Sequence, residues 1–90
     1  MIHLTEILEI KRLMPIHFDA HDFILAFIRT YPHSYFRILG GNMNDVNITN
    51  AQIGNFLKQH SSDLCIESAG EVESLNIMSN ISSCMSWKKL

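Results

Sequence analysis

In this chain of 90 residues, the N-termini of two helices are each indicated by more than one sequence signal. These two starts fix the positions of much of the predicted helical structure. The first is at Asp19, which is expected to cap a helix while Asp22 places a carboxylate in the positive first turn. Phe18 and Phe23 stand at the positions that pack together across such a start. A wide apolar stripe as far as Tyr31 predicts that this is the central core helix.

The second helix start is predicted at Thr49. Its hydroxyl is expected to accept from the backbone amide of Gln52, whose side chain would reach back to Thr49 and complete a capping box. Ile48 and Ile53 would close the hydrophobic staple around it. The helix is expected to run over residues 50–60 and to bury Ile53, Phe56 and Leu57. Gly54 inside this helix is consistent with the close approach of another backbone, from the same chain or from a partner.

Two more helices are predicted by apolar spacing and by prolines. One runs from Leu4 to Met14 and is stopped by Pro15. The other follows Pro32 over residues 33–39 and ends at Gly40-Gly41, where a left-handed residue is favoured. Its apolar side chains are expected to point inward: Tyr35, Phe36, Ile38 and Leu39. Residues 42–47 are predicted to form a polar connector.

The C-terminal third of the chain predicts β structure. Residues 72–78 and 81–89 alternate in part between apolar and polar side chains on either side of Ser79-Asn80, which indicates a hairpin. Before it, residues 64–66 fit a short buried strand and residues 68–70 fit a turn. The sequence therefore predicts an α+β fold in which three to four helices are followed by a C-terminal β-hairpin.

Length and composition predict a single domain over residues 1–90. Apolar residues make up 47% of the chain and charged residues only 18%, which is charge-poor for a small domain. Either the core is dense, or a partner protein or a second copy covers apolar surface. The N-terminal helix, in residues 1–14, is a candidate oligomerisation element, and residues 18–90 are expected to form the core.

The expected location is a reducing cytoplasm. Residues 1–15 carry charges that a secretory signal would not contain, and no apolar run is long enough to cross a membrane. Cys65 and Cys84, the two cysteines, lie among apolar or small residues and are predicted to be buried free thiols.

The order of elements resembles that of a winged-helix domain, in which helices lead to a recognition helix and a two-stranded wing, often with a small extra strand. The resemblance covers residues 18–90. Its C-terminal part, VESLNIMSNISSCMSWKK at residues 72–89, is similar to a winged-helix hairpin. The resemblance rests on the order and spacing of the elements. It implies that the helix after Thr49 is the recognition helix, which in winged helices enters the major groove of DNA.

Polar residues of that helix and of the chain's end form the predicted partner or nucleic-acid surface. Amides can bind adenine edges and lysines can contact phosphate. The seven residues are Asn50, Gln52, Asn55, Lys58, Gln59, Lys88 and Lys89. The alternative is a solvated polar face, because the helix lacks arginine and the net charge of the chain is −2.

Neither a metal site nor a cofactor is expected. His17, Asp19 and His21, with Asp22 and His33 near them in the sequence, are residue types that bind zinc. However, they lack the spacing of three or four residues that ligands on one helix require, and Asp19 is needed as a cap. The chain also lacks a glycine-rich phosphate loop, a nucleophile elbow and paired carboxylates, so we expect it to be no enzyme.

Two functions of different classes follow from the sequence. The first is a non-enzymatic interaction domain of winged-helix type that binds a protein partner or a second copy, for example as a homodimer. The second is a winged-helix DNA-binding regulator or module that uses residues 50–60 and the C-terminal hairpin. The second requires basic residues on one face, drawn from Lys58, Lys88, Lys89 and Arg37. Low charge and the acidic balance favour the first.

Overall fold

A computed structural model describes residues 2–90, which form five helices and three strands. In chain order these elements are α1 (Leu4–Leu13), β1 (His17–Asp19), α2 (Ala20–Thr30), α3 (Pro32–Gly41), α4 (Val46–Gln59), α5 (Ser61–Leu64), β2 (Ile66–Leu75) and β3 (Ile81–Lys89). The predicted α+β fold with a C-terminal hairpin is confirmed. The four predicted helices are present, and the additional helix, α5, has four residues.

α2 begins where the sequence predicts. Asp19 Oδ1 accepts from the Asp22 backbone N–H at 2.8 Å, and Asp22 Oδ2 accepts from the Asp19 backbone N–H at 3.2 Å. The rings of Phe18 and Phe23 pack across this start with their centroids 6.1 Å apart. Phe23 and Phe27 are fully buried, so α2 is the central core helix.

α4 begins at Val46, and the prediction of a start at Thr49 was wrong. The cap is Asp45, whose side chain accepts from the backbone N–H of Ile48 at 3.0 Å. Thr49 is fully buried inside the helix, where its hydroxyl donates to the carbonyl oxygen of Asp45 at 2.9 Å. Ile48 is exposed, so no staple forms there. The polar connector between α3 and α4 is correspondingly shorter than residues 42–47.

The end of α3 also differs from the prediction. Gly40 and Gly41 are helical, and the left-handed residues are Met43 and Asn44 in the loop that follows. Asparagine tolerates a positive φ better than most residues, which accounts for its place there. On α3 itself, Phe36 is exposed, although its spacing predicted an inward position.

The three strands form one antiparallel sheet in the order β1-β3-β2. β1 was not predicted; it pairs with the end of β3, so that Phe18 lies opposite Trp87. β2 is longer than expected and continues through residues 68–70 as a bulge, in which Gly70 adopts a φ of +96°. The prediction of a turn at residues 68–70 was therefore wrong. A separate strand at residues 64–66 is also absent, because Leu64 ends α5 and Ile66 begins β2.

One asparagine organises the hairpin turn. Asn76 Oδ1 accepts from the backbone N–H groups of Met78 and Asn80, at 2.9 and 3.1 Å. Its Nδ2 donates to Ser82 Oγ at 3.1 Å, and Ser79 adopts a left-handed φ of 62°. The turn includes Ser79-Asn80 as predicted, but β2 ends at Leu75, so the prediction of a strand over residues 76–78 was wrong. Side-chain hydrogen bonds have the role here that an Asn-Gly pair often has.

The core lies between the helices and the inner part of the sheet. α1 belongs to it, because Ile7 and Ile10 are fully buried, and Trp87 covers it from β3. Cys65 is exposed and Cys84 is half-buried, so the prediction of buried thiols was wrong for Cys65. Within residues 2–90, no helix has the length and apolar character that crossing a membrane requires.

Candidate interaction surfaces

A groove separates α4 from the hairpin. Its volume is about 320 Å³, and Trp87 and residues from the start of α2 also line it. α4 contributes Asn55 and Lys58, and the hairpin contributes Glu71 and Met85. The groove thus holds one cation and one anion, and it has no excess of positive charge.

Three of the seven predicted surface residues hold the fold together. The Tyr35 hydroxyl donates to Asn50 Oδ1 at 2.8 Å, and burial raises the pKa of Tyr35 above its ordinary value of 10.0. The amides of Gln52 and Asn42 bond to each other in both directions, at 2.9 and 3.2 Å. Lys89 Nζ donates to the Met14 carbonyl oxygen at 2.9 Å. These groups are committed to contacts within the chain.

The other four predicted residues are exposed. Asn55, Lys58 and Gln59 lie on α4, where Asn55 borders both the groove and a neighbouring depression that Gln59 also lines. Lys88 lies on β3 opposite Glu67 of β2. Gln52 is exposed as well, but its amide bonds to Asn42, so Asn55, Lys58 and Gln59 are the predicted residues of α4 that remain for contact with a partner.

Gly54 does not mark a close approach of backbones within this chain. A Cβ built on Gly54 would have no neighbouring heavy atom within 4 Å among the described residues outside its own stretch of helix. The groove beside it is open at this point, since Gly54 is one of the lining residues.

The hairpin is acidic. Residues 66–86 contain Glu67, Glu71 and Glu73 and no lysine or arginine, and all three glutamates are exposed. Phosphate contacts need cations, so a hairpin of this composition opposes the approach of DNA.

The tip of the hairpin is apolar and exposed. Leu75, Met78 and Ile81 keep 61%, 58% and 65% of their surface accessible, and residues 74–86 carry no charged side chain. An exposed cluster of large apolar side chains is a common property of surfaces that bind another protein. The local sequence predicts strands at these residues but carries no signal that their side chains stay exposed.

Three side chains with metal-binding atoms meet beside the groove. The ligand atoms of Asp19, His21 and Cys84 lie within 4.8 Å of one another, and all three residues are half-buried. In the sequence, Asp19 and His21 lie near His17, Asp22 and His33, whereas the cluster in the structure has Cys84 as its third member. No sequence spacing signals this contact, because it depends on the pairing of β1 with β3.

Comparisons of the chain with protein-family models, with curated proteins and with solved structures found no match in any of the three.

Proposed function

We propose that this chain is a non-enzymatic interaction domain of winged-helix type that self-associates through the tip of its hairpin. The observation that carries the proposal is the exposed apolar cluster of Leu75, Met78 and Ile81. Complete burial of a large apolar side chain is worth about 1.5–3 kcal/mol. Because each of these residues still exposes more than half of its surface, packing the tip against a protein gains a substantial part of that energy.

The binding partner that fits this tip is a second copy of the chain. A twofold dimer brings the same patch of both copies together, so the patch must not repel itself. Residues 74–86 carry no charge, and two tips can therefore meet without like-charge repulsion. Glu71 and Glu73 lie outside this stretch, on β2, and would flank such a contact.

The winged-helix part of the proposal is supported by the order of the elements. α4 is the last long helix before the two-stranded hairpin, and β1 is a small extra strand beside β3. This order corresponds to helices, recognition helix and wing. Fold alone does not fix function, so the resemblance supports the architecture and not DNA binding.

DNA binding is the second candidate function, and one observation favours it. α4 exposes Asn55, Lys58 and Gln59, which are residue types that contact bases and phosphates. Against it, the hairpin carries three glutamates and Lys89 bonds to the backbone of Met14. Self-association is therefore the better supported function, and DNA binding is an alternative outcome of the tests.

The experiment is sedimentation equilibrium on the natural chain and on a Leu75→Lys, Ile81→Lys variant. We expect a dimer for the natural chain and at least a tenfold weaker dimer for the variant, since two lysines would be desolvated against their own copies. Leu13→Lys is the matched control, because Leu13 is 62% exposed and lies in α1. A monomeric natural chain, or equal weakening by Leu13→Lys, would contradict the proposal.

A further inference from the structure

A cluster of three different metal-binding side chains joins three elements of the fold. Asp19 ends β1, His21 lies in the first turn of α2, and Cys84 is near the middle of β3. Their carboxylate oxygen, ring nitrogen and sulfur lie within 4.8 Å of one another. The antiparallel pairing of β1 with β3 holds them together, because Asp19 lies opposite Ser86, two residues from Cys84.

The donor set matches zinc. Thiolate and imidazole ligands suit Zn²⁺, whereas Mg²⁺ and Ca²⁺ prefer sites made of oxygen alone. With ordinary zinc–ligand bond lengths, tetrahedral geometry separates sulfur from nitrogen by about 3.6 Å. Side chains whose ligand atoms lie within 4.8 Å reach that separation with an inward movement of roughly 1 Å.

Neighbouring hydroxyls orient the histidine. His21 Nδ1 lies 2.7 Å from Ser74 Oγ, and its Nε2 lies 3.2 Å from Ser82 Oγ. When one ring nitrogen binds a metal, the other can still donate to its serine, which is the arrangement that fixes a histidine ligand in metal sites. Ser74 Oγ is also 3.8 Å from Cys84 Sγ, so the same hydroxyl reaches two of the three ligands.

The capping role of Asp19 is compatible with metal binding. Its bond to the Asp22 backbone N–H uses Oδ1. Oδ2 has no hydrogen bond among those described for residues 2–90 and is available as a ligand. Asp19 can therefore cap α2 through Oδ1 and bind a metal ion through Oδ2.

We propose that Asp19, His21 and Cys84 bind a Zn²⁺ ion that fastens the hairpin to the start of α2. On binding, the Cys84 thiol releases its proton to solvent as the zinc–sulfur bond forms, and His21 binds as the neutral ring. Three protein ligands leave a fourth position for water. Two of the three ligands, His21 and Cys84, line the groove beside the site. The site does not depend on self-association.

The test uses Co²⁺ as a spectroscopic substitute on the reduced full-length chain. We expect a thiolate-to-cobalt charge-transfer band that zinc abolishes by competition. Cys84→Ser should lose the band and weaken zinc binding by more than about 100-fold, a larger loss than the 10–100-fold typical of groups behind the ligands. Ser74→Ala should give a loss within that 10–100-fold range.

Cys65→Ser is the matched control, because Cys65 is the other cysteine, is exposed and lies outside the cluster. It should keep the band and the zinc affinity. Circular dichroism checks that each variant is folded, and His21→Gln provides a second test if Cys84→Ser does not fold. The proposal is overturned if the natural chain gives no band, or if the band survives Cys84→Ser or disappears in Cys65→Ser.

Discussion

Tyr35 connects α3 to α4 through a single hydrogen bond at the edge of the core. Its ring is buried against Phe27, with the centroids 6.4 Å apart, and its hydroxyl donates to Asn50. The raised pKa of Tyr35 arises from burial, which disfavours the phenolate. The folded chain therefore keeps this proton at a pH at which the unfolded chain loses it.

This difference predicts a loss of stability in alkali. Above the ordinary tyrosine pKa of 10.0, the unfolded chain binds fewer protons than the folded chain, so the free energy of unfolding falls as pH rises toward the folded pKa. Below that range Tyr35 makes no pH-dependent contribution. Tyr35→Phe should cost about 1 kcal/mol at neutral pH and less above pH 10.0, as measured by urea denaturation. A constant difference across this range would contradict the prediction.

Asp45 and Thr49 illustrate how one side chain decides where a helix starts. Asp45→Ala should lower the free energy of unfolding by about 1 kcal/mol, because the first turn of α4 loses its cap. Asp45→Asn keeps a capping oxygen and should cost much less. Urea denaturation of both variants measures the difference. Equal stability of the alanine variant and the natural chain would mean that Asp45 does not cap α4.

Among the elements of the fold, α4 contains a residue that lowers its helical stability, Gly54. Glycine inside a helix costs about 1 kcal/mol relative to alanine, and an added methyl group here has no neighbour within 4 Å to meet. Gly54→Ala should therefore raise the free energy of unfolding by about 1 kcal/mol. Gly70→Ala is the contrasting control, because its φ of +96° strains any other residue, and it should destabilise the chain. Thermal denaturation of the two variants should show shifts of opposite sign.

The helices could be predicted from the sequence where each signal has one interpretation. Asp19 precedes an apolar stripe, and as a signal for helix structure it indicates only a cap, so the start of α2 was predicted correctly. Thr49 has two possible roles, since a threonine can cap a helix, or it can lie inside a helix and bond to the carbonyl oxygen four residues earlier. In the structure Thr49 has the second role, inside the helix. The burial of Thr49 decides between the two roles, and the local sequence does not encode that burial.

The candidate sites depend on contacts that local sequence does not encode. α4 was identified as an exposed polar helix, and four of its five predicted residues are exposed. The cluster of Asp19, His21 and Cys84 depends on the register of β1 with β3, and β1 has only three residues and no pattern of its own. The exposed apolar tip could not be predicted from the local sequence either, because alternation of apolar and polar residues in a strand does not show that the hairpin extends beyond the core.

For the molecule as a whole, we expect α1 to be required for folding. Ile7 and Ile10 are fully buried, and truncation of such residues to alanine costs about 2–5 kcal/mol each. A domain of this size has a total stability of only about 5–15 kcal/mol. Deletion of residues 1–14 should therefore leave the chain unfolded, as measured by circular dichroism and amide proton dispersion. A folded shortened chain would mean that α1 contributes little to the core.

We propose that this domain binds its own copy and not DNA. The decisive measurement is light scattering of the eluting chain, with and without a random DNA duplex at low salt. The predicted result is a mass twice that of the 10.3 kDa chain, unchanged by the duplex. The contradicting result is a monomer that co-elutes with DNA and is released as salt rises, since phosphate contacts weaken with salt. That outcome would assign the exposed residues of α4 to nucleic-acid binding.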